Sequence, residues 1–182
     1  MPGVMRLSID PRLVPLFPDL RLGGFIAHLD RMRSPMAAFD VMRLHHAIAL
    51  RHAVPLGAFD MDAMPRDAIT LRHARPRTDW FVPLGACPDE LPLAADAIVL
   101  AAGSMVLGWG LRLRESRQTC LCLRTRRAAF VSEAVTATQA DAATRAIDQL
   151  RRRLREAGAL VGPVAFVDAR GPSTDLTCAA VA

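Results

Sequence analysis

Apolar and polar positions along the chain predict short elements arranged about one passage, residues 41–64, VMRLHHAIALRHAVPLGAFDMDAM. In its first half Val41, Leu44, Ile48 and His52 keep the i, i+3, i+7, i+11 spacing of one helical face, while Arg43 and Arg51 fall elsewhere. Pro55 predicts where that helix stops, because proline has no N–H to donate and disfavours helical geometry in the residue before it. The apolar run PLGAFDMD follows and closes on Asp60 and Asp62. A helix carrying His45 and His46 beside a proline-locked, glycine-containing strand is expected to form either a wall of a small-molecule site or ordinary core.

Alternation elsewhere predicts strands at residues 5–9, 22–29, 68–74, 80–84, 97–101, 105–114, 119–124, 128–132 and 161–167. Asp10 and Pro11 are expected to open a helical turn reaching residue 16, as N-cap and first helical residue. Residues 31–36 read as a polar link, 62–64 as a turn and 75–79 as a basic loop; Gly85, Cys87 and Pro88 belong to another loop. Gly103 and Ser104 stand where a tight hairpin needs positive φ. The clearest helix is 138–157, with Thr138 as N-cap, Ala143, Ile147, Leu150 and Leu154 on one apolar face, and Gly158 just past its end. Residues 171–182 are expected to be a loose tail. Strands outnumber helices and short turns join many of them. The expected class is α+β, a mixed and largely antiparallel β-sheet core with a few packed helices, in one domain over residues 1–182.

Composition narrows the partners. The chain is 52 % hydrophobic and 23 % charged, which excludes a disordered protein. A net charge of +5 and a pI near 10.1 allow an anionic partner. Every Lys or Arg position holds arginine, and asparagine and tyrosine are absent, a bias that assigns part of the arginine content to codon usage. Cys87, Cys120, Cys122 and Cys178 have neither zinc-type spacing nor secreted-scaffold density; on a strand, Cys120 and Cys122 would share one face as reduced, half-buried thiols. No signal-peptide pattern opens the chain, and its longest apolar run, 98–113, falls short of a bilayer span, so a cytoplasmic protein is expected.

Three stretches stand in a telling order: His46-Ala47-Ile48-Ala49-Leu50, then Pro55-Leu56-Gly57-Ala58-Phe59-Asp60-Met61-Asp62, then Ile69-Thr70-Leu71-Arg72. Residues 106–110, the threonines Thr119 and Thr125, and Phe130-Val131-Ser132-Glu133 continue it. The opening Leu7-Ser8-Ile9-Asp10 and Phe17-Pro18-Asp19-Leu20 fits as well. Across most of residues 6–155 the chain resembles the B3/B4 domain family, the editing and tRNA-binding domain of the phenylalanyl-tRNA synthetase beta subunit and its free-standing relatives. Two departures fall in the implied pocket. His46 stands where the family carries asparagine, and the helical stretch before the central helix is shortened to about residues 30–40.

The resemblance implies hydrolysis of the ester that joins a wrong amino acid to tRNA, which needs an oriented water, oxyanion donors and a selective pocket. On that reading His46 and Glu133 are the catalytic candidates, and Gly57, Phe59, Gly108, Gly110 and Glu133 bind substrate. His46 either orients the water or replaces asparagine as a hydrogen-bonding core residue. Glu133 either attracts the α-amino group or is a strand-end carboxylate, and Gly108 and Gly110 either admit the substrate or mark a bulge. Gly57 replaces a histidine of the synthetase form, and His45 is expected to be structural or solvent-facing. Arg72, Arg75 and Arg77 with Arg124, Arg126 and Arg127 are the candidates for tRNA phosphate; a third group, Arg112, Arg114 and Arg117, lies between them. The alternative is a non-catalytic relative that binds an amino acid or its derivative as accessory to a ligase or biosynthetic enzyme.

No cofactor and no metal is expected. Asp60 and Asp62 read as a turn and cap, and His28, His52 and His73 with Cys120 and Cys122 lack zinc spacing. There is no G-x-S-x-G elbow, and Gly108-Trp109-Gly110 is no phosphate loop.

Overall fold

The computed structural model describes residues 4–32, 37–85, 91–111 and 114–178; Cys87, Pro88, Arg112 and positions 33–36 of the polar link lie outside them. β1 (Val4–Ile9) leads through a 3-10 turn, Pro11–Leu13, into β2 (Arg21–His28); the Asp10 carboxylate accepts from the Arg12 N–H at 3.0 Å as the expected cap. α1 (Ala37–His52) stops ahead of Pro55 and is followed by β3 (Leu56–Asp60). Then come β4 (Ala68–His73), β5 (Ile98–Ala102), β6 (Met105–Trp109) and the short β7 (Arg114–Glu115). The β5–β6 hairpin turns at Gly103 with φ +67°, where a side chain would be strained. β8 (Arg127–Ala134), α2 (Ala137–Glu156), β9 (Leu160–Val161), β10 (Ala165–Val167) and β11 (Ser173–Thr177) complete the chain.

Two sheets form. One runs β11-β1-β4-β5-β6-β7 and the other β10-β2-β8-β3, with β9 also on β2. The β1–β4 pair is parallel and the other strand pairs are antiparallel, so the mixed, largely antiparallel α+β class holds. Period-two alternation explains how the second sheet is buried on both faces. Leu22, Ile26, Phe59, Ala129 and Val131 meet Leu7, Ile69, Leu71 and Leu100 of the first sheet. Phe25, Ala58 and Phe130 turn the other way, onto Val41 and Ile48 of α1 and Ala143, Ile147, Leu150 and Leu154 of α2. Sheet, sheet and helix pair are therefore stacked in that order.

Several expected boundaries move. Residues 80–84 hold only isolated bridges, Trp80 to Met105, Phe81 to Leu91 and Pro83 to Ser116. Residues 119–124 are not a strand. A 3-10 turn, Arg117–Thr119, is capped by Ser116, and the Cys122 N–H then bonds the Thr125 hydroxyl at 2.9 Å. That local side-chain bond competes with a sheet ladder. Cys120 is accordingly half-buried and Cys122 exposed. The N-cap of α2 is Thr136, not Thr138: its hydroxyl accepts from the Gln139 N–H while the Gln139 amide oxygen accepts from the Val135 N–H, close to a capping box. Residues 161–167 divide into two strands around Pro163, which has no N–H for a ladder. The expected tail instead supplies β11, paired with β1 from Val4↔Thr177 to Ser8↔Ser173.

Candidate functional site

The middle of α1 delivers two histidines with different surroundings. Val41, His45 and Ile48 stand at i, i+4 and i+7, so His45 takes a place on the buried stripe and is 1 % exposed. Leu44, expected on that stripe, is only half-buried. His46, one residue on and about 100° around the helix, is exposed. The two rings lie 4.2 Å apart, centroid to centroid.

Glu115 of β7 reaches the same place from the first sheet. Its Oε1 accepts from the Ala58 N–H at 3.0 Å, on the edge of β3, and lies 3.6 Å from His45 Nε2. Nitrogen and oxygen atoms of His45, His46 and Glu115 all fall within 4.8 Å of one another. Burial, then the neighbouring His45, hold the His46 pKa below the usual imidazole range, with Glu115 acting in the opposite sense. Neither ring nitrogen of His45 has a hydrogen-bond partner among the described residues.

Glu133, near the end of β8, is the second centre. It shares its face of the second sheet with Gly57 and Phe59, turned toward the first sheet. Its Oε2 accepts from the Leu111 N–H, and its Oε1 is buried with no partner among the described residues. Burial pushes the carboxyl pKa from the ordinary 4.5 up to about 7, against the lowering effect of the Leu111 bond. Leu111 itself has φ +63°, a left-handed backbone unusual for a non-glycine residue. The backbone that serves Glu133 is thus held in an uncommon conformation.

The fold is similar to that of a synthetase fragment. A crystal structure of an N-terminal fragment of the phenylalanyl-tRNA synthetase beta subunit from Pyrococcus horikoshii matches with a TM-score of 0.65 and 18 % sequence identity. The match covers 85 % of this chain and 49 % of that one, so this chain spans about half the length of its structural neighbour. No protein-family model matches the chain, and no curated protein does. At that identity the likeness is one of fold.

The remaining expected site residues are distributed unevenly. His46 and Glu133 are not joined by a hydrogen bond or ion pair; His46 belongs with His45 and Glu115, and Glu133 with Leu111. Phe59 is 1 % exposed and packs in the core between the sheets. Gly57 is paired with Val131 inside the second sheet. Gly108 pairs with Leu100 and Glu115 beside a register shift in the β5–β6 ladder, as a bulge reading expects. A Cβ on Gly110 would stand 3.0 Å from the Ile98 carbonyl oxygen and 3.1 Å from Leu71, so its small size serves packing.

Arg72 is engaged within the fold. Its guanidinium is buried, holds Asp79 through two bonds of 2.6 and 2.8 Å, and donates to the carbonyls of His73 and Gly103. Those bonds commit the guanidinium to the protein itself. Arg127 is paired with Asp62 at 2.8 Å, while Arg75, Arg77, Arg124 and Arg126 are exposed. Asp60 caps the turn to Asp62 and accepts from Thr125 at 2.6 Å, which agrees with its reading as a turn and cap. A cleft of about 830 Å³ beside Arg77, Trp80 and Gln118 lies apart from both centres. Sequence reasoning passed over Glu115, and placed His45 among structural or solvent-facing residues. Its i+4 spacing from Val41 was the available signal for burial. No helix among the described residues is long and apolar enough to cross a membrane.

Proposed function

We propose that the protein binds the amino-acid end of aminoacyl-tRNA and hydrolyses its ester, as the editing domains it resembles do. The observation that carries this reading is Glu133, a buried carboxylate with one unpartnered oxygen on a fold similar to a synthetase beta-subunit fragment. An ammonium group brought to Glu133 would favour its ionised form, so substrate binding and proton release are coupled there. In the reaction, water attacks the ester carbonyl carbon and the bond from that carbon to the ribose oxygen breaks. The proton lost by the water passes to the departing ribose hydroxyl. His46, an imidazole on the exposed side of α1, is suited to accept that proton and return it. Gly57 stands on the same face of the second sheet as Glu133 and adds no side chain there. Arg75, Arg77, Arg124 and Arg126 are the exposed arginines left to meet phosphate.

The test is deacylation of a panel of matched and mischarged aminoacyl-tRNAs. One mischarged species is expected to be lost far faster than by spontaneous hydrolysis, and His46→Ala and Glu133→Ala each to slow it by roughly 100-fold, the scale of a lost acid–base group. Full activity in both variants would remove them from the mechanism. A second reading has its own support: with Arg72 and Arg127 engaged by Asp79 and Asp62, fewer arginines remain for RNA. On it, Glu133 holds the amino group of a free amino acid or its derivative, and the protein serves as accessory to a ligase or biosynthetic enzyme. Calorimetric binding of an amino acid, unchanged by tRNA competitor and without turnover, would favour that reading.

A further inference from the structure

We propose that His45, His46 and Glu115 form a binding site for one zinc-like divalent ion. Three observations converge on it. The donor atoms lie within 4.8 Å of one another, and they come from two separate parts of the fold, α1 and β7. His45 is 1 % exposed, yet both its ring nitrogens lack hydrogen-bond partners among the described residues. Buried polar atoms are ordinarily satisfied, so an orphaned imidazole facing a carboxylate marks a place where something else completes it.

The spacing says what that is. His45 Nε2 and Glu115 Oε1 are 3.6 Å apart, too far for a good hydrogen bond. Two ligands of one tetrahedral zinc, with bonds of about 2.0–2.2 Å, stand roughly 3.3–3.5 Å from each other. The His45–Glu115 gap is close to that of two ligands on one ion, and the His46 nitrogen, within 4.8 Å of both, would close in on binding. Two imidazoles and one carboxylate are a donor set that suits zinc and leave a fourth tetrahedral position for water. Glu115 is already held by the Ala58 N–H, the kind of outer contact that aims a ligand. His45 Nδ1 lacks such an acceptor, which lowers the expected affinity by roughly 10–100-fold relative to a site with a full outer shell.

Zinc chloride titrated into chelator-washed protein and followed by calorimetry tests the site, with cobalt(II) absorption as a report of coordination. No tRNA is present, so the result is read separately from the deacylation test; a His46 bound to the ion would not be free to accept the proton there. One ion per chain is expected. His46→Ala, an exposed position, and Glu115→Gln, which keeps an oxygen for Ala58, should each weaken binding at least tenfold. His52→Ala and Cys122→Ser, which alter an imidazole bonded to Gln149 and an exposed thiol, should leave it unchanged. No binding, a stoichiometry other than one, or native affinity retained in the His46→Ala and Glu115→Gln variants overturns the proposal.

Discussion

Arg72 and Glu133 are both almost wholly buried charged residues, and the protein treats them in opposite ways. Around Arg72 the chain supplies Asp79, whose side chain is fully buried, and two carbonyl oxygens. Around Glu133 it supplies one N–H, from Leu111, and among the described residues the second oxygen has no partner. A buried charge is tolerated when paired and hydrogen-bonded, and otherwise shifts toward its neutral form. Arg72 follows the first course and Glu133 the second, with its pKa at about 7. The difference separates a structural charge from one with capacity left for a ligand.

The largest effect should come from breaking the satisfied pair. Arg72→Met is expected to cost about 3–5 kcal/mol in urea unfolding, because it leaves Asp79 charged and buried. Removing both charges, with Arg72→Met and Asp79→Leu together, should cost less than the single change. Nucleic-acid affinity, if present, should keep its salt slope in a variant at Arg72 that still folds, whereas Arg75→Ala should reduce that slope by about one ion. A salt slope lowered by Arg72→Met would mean that its guanidinium leaves Asp79 for phosphate, and the contrast with Glu133 would fail.

Glu133 gives the next effect, and its sign follows from proton counting. Its folded pKa lies above the ordinary value, so between about pH 4.5 and 7 the folded protein keeps a proton that the unfolded chain has released. Stability is therefore lost as pH rises through that window and levels off above it, by at most roughly 3 kcal/mol. Glu133→Gln cannot ionise and should remove this component. The variant should gain stability relative to the native protein on going from pH 5 to pH 8. An unchanged difference at both pH values would mean that Glu133 is ionised throughout and has a partner as Arg72 does.

What the sequence revealed of these places follows the range of the interactions. The Gly103 hairpin, the Pro55 stop and the Asp10 cap depend on a few neighbouring residues, and all three lie where local pattern put them. Glu133 entered through the order of motifs, not through anything local. Glu115 could not be found that way, since its partners are Ala58, 57 residues distant, and a helix farther still. The commitment of Arg72 depends on a Gly103 carbonyl 31 residues away. β11 looked like a tail because its ladder partner is β1, at the opposite end of the chain; Arg6 and Asp175 are bridged across 169 positions. His45, expected to be structural or solvent-facing, stands four residues after Val41, and that helical position places it inward.

The smallest predicted effect isolates burial from pairing. Arg127 and Asp62 make an ion pair at 2.8 Å, much as Arg72 and Asp79 do, but their side chains are 32 % and 39 % exposed. Water already solvates both groups, so losing the contact leaves neither charge stranded. Arg127→Ala should change stability by no more than about 0.5 kcal/mol in urea unfolding, and by less as salt is raised. If it instead costs as much as Arg72→Met, then contact distance governs these arginines, and the burial that distinguishes Arg72 and Glu133 loses its explanatory weight. If the cost is small, the same chemical pair contributes according to its surroundings, and the Glu133 oxygen that has no partner among the described residues owes its significance to the same cause: it lies away from bulk water.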